Sequence, residues 1–375
     1  MRSPRASYRA RKNAFGVLRV PDAGAGAEQT RCTLSDDLVD VDRLSDWIGD
    51  RLEGAGQPTT VERMGQDQGI ANALFFLRRA QHTWVLRRPP AVKNHPSASN
   101  TEREWRILRA LDGTDVPHPR ALLFCDDPAV IGAPFLVMER IDGFTPGYEL
   151  PPPFAAGGPI LYDLAMAYVD GLIALASVDW LARGLEGLGK PEGFLERQVA
   201  RWVGQLDGYR TRDLPQEQFI CDWLERNRPE ATPAAILHGD YSPFNVMVSP
   251  DPPARLAAIV DWDTGTIGDP LLDIGHLLAR WVEPGEEGPL DPQAGDLASY
   301  PTRAQMASRY ADRSGRDLSA LAYYECLALF KLGVILEGTY ARERRAGVPH
   351  DESRMAELVP RLFRSAAAFA RGEVV

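Results

Sequence analysis

The sequence predicts an α+β chain folded as two lobes, a small β-rich N-terminal lobe and a larger, mainly helical C-terminal lobe. Three observations carry this. Short aromatic and β-branched runs dominate residues 61–88. A Pro- and Gly-rich stretch at 143–159 can continue neither a strand nor a helix. Beyond it, apolar residues recur at helical spacing almost to the C-terminus. The lobes are therefore drawn at 34–142 and 143–375, behind an N-terminal arm at 1–33.

The arm carries Arg2, Arg5, Arg9, Arg11, Lys12 and Arg19 before any acid, with Gly24 and Gly26 among alanines, and reads as disordered. Ser35-Asp36-Asp37 is a helix cap, and Leu38, Val41, Leu44, Trp47, Ile48 and Leu52 follow at helical spacing. Ala73–Leu77 and Thr83–Leu86 read as two strands joined by a turn at Arg79–His82. A charged helix, Glu102–Leu111, leads through a Pro-broken loop to Arg120–Phe124, and Phe135–Met138 is a buried strand. Past the lobe junction, helices are expected at Ile160–Arg183, Phe194–Tyr209, Gln216–Asn227, Leu318–Arg345 and Ser353–Arg371. Between them lies a strand-rich island, Ala235–Asp263.

Composition bounds the function. With 375 residues, 44% of them hydrophobic and 25% charged, the chain can build its core without disulfides or structural metals. A formal net charge of −10 argues against a nucleic-acid partner. Cys32, Cys125, Cys221 and Cys326 lie far apart with no CxxC pair, as expected of reduced structural thiols. No apolar run approaches the length of a membrane span, and no hydrophobic stretch follows the N-terminal arginines. The expectation is a cytoplasmic protein without a membrane partner; its oligomeric state is left open.

The island carries the chemistry. In Ile236–Val248, Asp240 and Asn245 sit on one loop between two apolar strands, which can aim both side chains into one cleft. A second apolar strand, Leu256–Val260, ends at Asp261. A β-hairpin turning at Pro250–Pro253 would bring Asp261 back beside Asn245. Phosphoryl transfer needs a metal to neutralise the triphosphate and a carboxylate to position the attacking hydroxyl. Mg²⁺ takes one or two protein oxygens and completes its shell from phosphates and water. Asn245 and Asp261 meet that demand, and Asp240 supplies the base.

HGDYSPFNVMV followed by IVDWDTGTIGDPLLDIG resembles the aminoglycoside phosphotransferase family, small-molecule relatives of the protein kinases. The resemblance implies a protein-kinase-like two-lobed fold, ATP or GTP as co-substrate, Mg²⁺, and a small-molecule hydroxyl acceptor. It makes Asp240 the catalytic base with His238 bracing its loop, and Asn245 and Asp261 the metal ligands. Asp261 stands where kinases have the Asp of DFG. Asp269 and Asp273 would hold the catalytic loop and the following helix. Met64–Asn72 would be the phosphate loop, contributing Gly65, Gly69 and Asn72 through an anion-binding backbone concavity. It departs from the family's tighter Gly-Gly, and Ala71 replaces the usual Ser. Arg87 occupies the place of the kinase lysine, with Glu104 as its partner, and an arginine there offers a different fork geometry. Met138, Glu139 and Ile141 would form the hinge against the nucleotide base.

VLRRPP, GKPEGFLERQVARW and YYECLALFKLGVILEGTYARERRAG resemble the branch of this family associated with acyl-CoA dehydrogenases, and the likeness covers residues 35–370. Ala176 stands where that branch carries a His. The expected activity is transfer of the γ-phosphoryl group of ATP or GTP to a small-molecule hydroxyl. Three specific forms are open: a hydroxyacyl-CoA kinase, with cations such as Arg197 or Arg201 as contacts, an aminoglycoside-type antibiotic kinase using Glu283, Glu286 and Glu287, or a kinase of a secondary-metabolite intermediate. A nucleotide-binding pseudokinase is a rival of another class. So is a haloacid-dehalogenase-type phosphatase, whose DxDxT would be Asp261 to Thr264. That last reading needs a downstream lysine, for which only Lys331 exists, inside an apolar helical run, and it leaves HGDYSPFN unused. A calcium loop starting at Asp261 fails at its twelfth position, Leu272.

Overall fold

Alternation in the N-terminal lobe translates directly into a sheet. In the computed structural model, residues 38–64, 73–89, 100–147 and 150–373 are described. The basic arm, the Ser35–Asp37 cap and the phosphate-loop residues Gly65, Gly69 and Asn72 lie outside them. Helix α1 (Val41–Ile48) starts at Asp40, whose carboxylate accepts from the Arg43 N–H at 3.0 Å, and it buries Leu44 and Ile48. Strands β1 (Thr59–Arg63), β2 (Ala73–Arg79) and β3 (His82–Arg88) pair antiparallel in sequence order. In β2, Ala73, Phe75, Leu77 and Arg79 alternate inward, the period that one buried face requires. The inward cation Arg79 is satisfied by the Gly49 carbonyl at 2.7 Å and the Thr59 hydroxyl at 3.1 Å. Helix α2 (Thr101–Leu111), capped by Asn100, is followed by β4 (Ala121–Cys125), the short α3 (Pro128–Ile131) and β5 (Phe135–Glu139). The sheet order is β1-β2-β3-β5-β4.

The Pro-rich connector is anchored where it begins. Phe144 exchanges backbone hydrogen bonds with Val248 at 3.0 and 2.8 Å. Gly143 lies so close that a Cβ there would meet the Val248 carbonyl at 2.7 Å. Helices α4 (Pro159–Ala176), α5 (Gln198–Asp207) and α6 (Glu217–Arg226) follow. Then come β6 (Ala235–Leu237), β7 (Val246–Val248), β8 (Leu256–Ile259), β9 (Thr266–Gly268) and α7 (Leu271–Leu278). Helices α8 (Arg303–Ser314), α9 (Leu321–Arg345) and α10 (Met355–Arg371) complete the C-terminal lobe. By length and composition α4 is apolar enough to cross a membrane, contrary to the expectation that no run approaches that length. In the fold it is a core helix, with Leu161, Leu164, Val169 and Leu172 buried. The 25-residue α9 packs against α5, α6, α7 and α10, which explains its nearly continuous apolar sequence. Cys125, Cys221 and Cys326 are free thiols.

Two small antiparallel pairs carry the island. β7 and β8 form the expected hairpin, Val246 opposite Ile259, while β6 pairs with β9. Strand β9 and helices α7 and α8 go beyond the elements read from periodicity. Helix α4 also stops at Ala176 rather than Arg183, and α5 starts at Gln198 rather than Phe194.

Candidate active site

The loop that carries Asp240 is held at its backbone. Gly239 has φ 82°, and a Cβ there would sit 2.8 Å from the Thr264 carbonyl, so only glycine fits. Buried Asp273, in the first turn of α7, accepts the N–H groups of His238 at 2.6 Å and Gly239 at 2.8 Å. From the other side the buried Lys331 ammonium donates to the Gly239 carbonyl. Burial raises the Asp273 carboxyl above its ordinary range, against the pull of His238, the two N–H groups and Lys331. Asp269 accepts from Thr232, the Leu271 N–H and the Tyr324 hydroxyl, fixing the entry to α7.

His238 lies on the same loop, two residues before Asp240. It is fully buried; Nε2 donates to the Val260 carbonyl at 2.9 Å, so Nδ1 is the acceptor for the Asp240 N–H at 3.3 Å. Its ring packs 4.8 Å from that of Trp262. Both nitrogens serve backbone groups, so His238 positions the loop and reaches no substrate.

The hairpin brings the expected trio together. The Val260 N–H donates to the Asn245 carbonyl at 2.9 Å, and Asp261 follows immediately. The Asn245 amide Nδ2 donates to the Asp240 carbonyl at 2.8 Å and to Asp240 Oδ2 at 3.0 Å. Asp240 Oδ1 lies 3.1 Å from His276 Nε2 and 3.6 Å from Arg280 Nη1. Desolvation would raise the Asp240 carboxyl; the His276 bond, with Arg280 and Lys331 nearby, outweighs it and holds the group well below the usual carboxylate range. Asp240 is therefore an ionised, half-exposed acceptor.

Asp261 adopts a left-handed backbone, φ 67°, a conformation costing about 1–2 kcal/mol for an L-residue. Arg87 of β3 reaches it across the lobe junction: Nη2 is 2.8 Å from Asp261 Oδ1 and 2.8 Å from Asp263 Oδ1, while Nε is 2.8 Å from Glu104 Oε2 of α2. The expected Arg87–Glu104 pair thus forms, inside a larger cluster. Burial pushes Glu104 up to about 7 despite Arg87. The three acids in turn hold Arg87 protonated against its own burial. Met138, Glu139 and Ile141 lie at the exit of β5; the Glu139 carboxylate turns to Arg120 at 3.2 Å.

The donor set fits a magnesium ion. Among the described residues no group of three or more His, Cys, Asp or Glu side chains is placed to hold a metal alone. Asn245, with its amide nitrogen engaged, presents its carbonyl oxygen, and half-exposed Asp261 has a second carboxylate oxygen beside the one on Arg87. An amide oxygen plus one carboxylate suits a cation that takes its remaining ligands from phosphates and water.

Beside Asp240, a pocket is walled by Leu150, Tyr168, Phe244, Trp281, Leu290 and Tyr300, with Arg280 on its rim toward Asp240. Its polar groups are engaged within the protein: Asp291 with Arg354, Gln293 with both backbone groups of Val282, and the Tyr300 hydroxyl with the Ala294 carbonyl. Two of the three acids expected to serve a cationic substrate are committed elsewhere. Glu286 pairs with Arg303, Glu283 accepts the Arg303 N–H at 2.7 Å, and Glu287 is exposed. Arg197 is turned to the Lys190 and Glu192 carbonyls, and exposed Arg201 lies over the Trp202 ring.

Sequence reasoning missed Asp263, His276, Arg280 and Lys331 as members of this site. The local signal for two of them existed: His276 and Arg280 stand four apart in the apolar run after GDPLLDIG.

Comparison with known proteins places this geometry. Residues 66–308 match the model of the phosphotransferase enzyme family. The acyl-CoA dehydrogenase family member 11 of Rattus norvegicus is 29% identical over 316 residues, which are 81% of this chain and 39% of that protein. The chain therefore spans about two fifths of the length of the curated relatives it matches. A crystal structure from Ralstonia eutropha, provisionally named an aminoglycoside phosphotransferase, superposes with a TM-score of 0.72 at 29% identity, covering 88% of this chain and 98% of that one. Choline kinase from Cryptosporidium parvum shares the fold, with a TM-score of 0.58 at 13% identity over 89% of this chain and 96% of its own.

Proposed function

The chain belongs to the phosphotransferase enzyme family, and from that premise we propose that it moves the γ-phosphoryl group of ATP or GTP to a hydroxyl of a small molecule. The observation that carries this is that the three residues are held side by side: the Asn245 amide donates to Asp240, and Val260, next to Asp261, donates to the Asn245 carbonyl. Asp240 accepts the hydroxyl proton as the hydroxyl oxygen forms its bond to phosphorus, and the bond to the bridging oxygen breaks to release the nucleoside diphosphate. Asn245 and Asp261 would hold Mg²⁺, which supplies neutralisation of the triphosphate charge. Arg87 steadies Asp261 and Asp263 from the N-terminal lobe.

For the acceptor, the pocket favours a molecule with an apolar body over a polycationic antibiotic. Its walls are aromatic and aliphatic, and Asp291 is neutralised by Arg354. A hydroxyacyl thioester is the specific form we favour, in keeping with the names of the relatives. A screen of ATP and GTP consumption by the purified protein, over hydroxylated metabolites, hydroxyacyl-CoA thioesters and aminoglycosides, tests this. Turnover confined to aminoglycosides would overturn the acceptor assignment. Tight Mg²⁺-nucleotide binding without turnover on any acceptor or on water would favour a pseudokinase instead.

A further inference from the structure

The contacts on the Asp240 carboxylate assign a further positioning residue. We infer that His276 fixes the base for phosphoryl transfer by donating its Nε2–H to Asp240 Oδ1, opposite the Asn245 amide on Oδ2; this role rests on the phosphotransferase reading above. His276 is buried on α7, and Nε2 stands 3.1 Å from Oδ1. Arg280, one helical turn on, brings Nη1 to 2.8 Å from the same ring nitrogen and 3.6 Å from Oδ1. One Nε2 cannot serve both as donor and acceptor. A lone pair on Nε2 would face an anionic oxygen, whereas an N–H there makes a charge-assisted bond. The proton therefore lies on Nε2, and Arg280 contributes its charge to the carboxylate rather than a hydrogen bond to the ring.

The groups facing the imidazole keep it a neutral donor. Burial lowers its pKa, Asp240 raises it, and Arg280 and Lys331 lower it again, leaving it at about 4. His276 thus stays neutral through the neutral range and acts as a fixed dipole. With Oδ1 held by His276 and Oδ2 by Asn245, the plane of the carboxylate is set by two donors on different elements. Orientation of this kind matters because displacing a reacting group by about 1 Å can cost roughly a hundredfold in rate.

The test uses the full chain with Mg²⁺-ATP alone, following phosphate release with water as acceptor, together with binding of a fluorescent ADP analogue. His276→Leu should lower kcat by about ten- to a hundredfold while the ADP-analogue Kd and the KM for ATP stay within about twofold of wild type. His276→Gln, whose amide N–H can reach Oδ1 in place of Nε2–H, should recover most of the lost kcat. ¹⁵N-histidine NMR at neutral pH should show a resonance, absent from His276→Gln, with its proton on Nε2. Equal kcat in wild type and His276→Leu, a His276→Gln as slow as His276→Leu, or a bare Nε2 overturns the role while leaving the phosphotransferase standing. A wild type that neither binds the analogue nor turns over ATP overturns both. If His276→Leu fails to fold, the NMR signature and His276→Gln still decide.

Discussion

Arg87 Nη2 and Asp261 Oδ1 lie 2.8 Å apart, a bond between side chains that start on different lobes. The same guanidinium holds Glu104, whose side chain is only 2% exposed. Removing it would strand a buried carboxylate and release Asp261 from its left-handed turn. Arg87→Met should therefore destabilise the fold by about 3–5 kcal/mol, the usual cost of breaking a buried pair from one side. Arg87→Lys should recover only part of this, since one ammonium cannot match the guanidinium fork on three acids. Chemical denaturation of the three proteins checks it; equal stability of wild type and Arg87→Met would show that the cluster carries no net stabilisation.

The base assignment predicts a separation of rate from binding. Asp240→Ala removes the proton acceptor but leaves Asn245 and Asp261 in place, so kcat should fall by about 10²–10⁴ with nucleotide affinity nearly unchanged. Single-turnover phosphate release and equilibrium binding, measured on one preparation, provide the comparison. Wild-type-like turnover in this variant would remove Asp240 from the mechanism.

Asp261 predicts the opposite split. Its carboxylate has one oxygen on Arg87 and one left for a cation, so Asp261→Ala should weaken nucleotide binding when Mg²⁺ is present and alter it little when Mg²⁺ is chelated. Calorimetric titration of ATP with and without Mg²⁺ reads both arms. An equal loss in both would place Asp261 outside the metal site.

The parts of this molecule visible in its sequence are those in which local pattern and tertiary role coincide. Strand β2 alternates because one face is buried, and Asp240, Asn245 and Asp261 meet because a short hairpin returns the chain. Helix α7 gives no amphipathic period, since every residue from Leu271 to Leu278 is buried. Helix α8 fails in the other direction, with only Met306 and Tyr310 buried. Strand β9 spans Thr266–Gly268, too short to announce itself, and is a strand only through its pairing with β6. The partnership of His276 with Asp240 bridges 36 positions, a contact that no local spacing encodes. Lys331 looks like an intruder in an apolar helix until the Gly239 carbonyl is seen beside it.

Glu325 on α9 gives the fold a pH dependence of its own. Burial raises its pKa from 4.5 to about 8, and Arg303 offsets this only in part. Between those values the folded carboxyl keeps a proton that the unfolded one has lost, so unfolding releases a proton. The stability contributed by Glu325 is thus fully present below its unfolded pKa and is lost as pH rises through about 8. Glu325→Gln keeps a neutral polar group of the same shape and removes the titration. Wild type should lose stability from pH 5 to pH 8, and the variant should lose less, by about 1.4 kcal/mol for each unit of pKa shift removed. Denaturant midpoints at the two pH values decide the matter: parallel losses in both proteins would mean that Glu325 titrates normally and that the dependence arises elsewhere, with Glu104 the next buried carboxyl to replace.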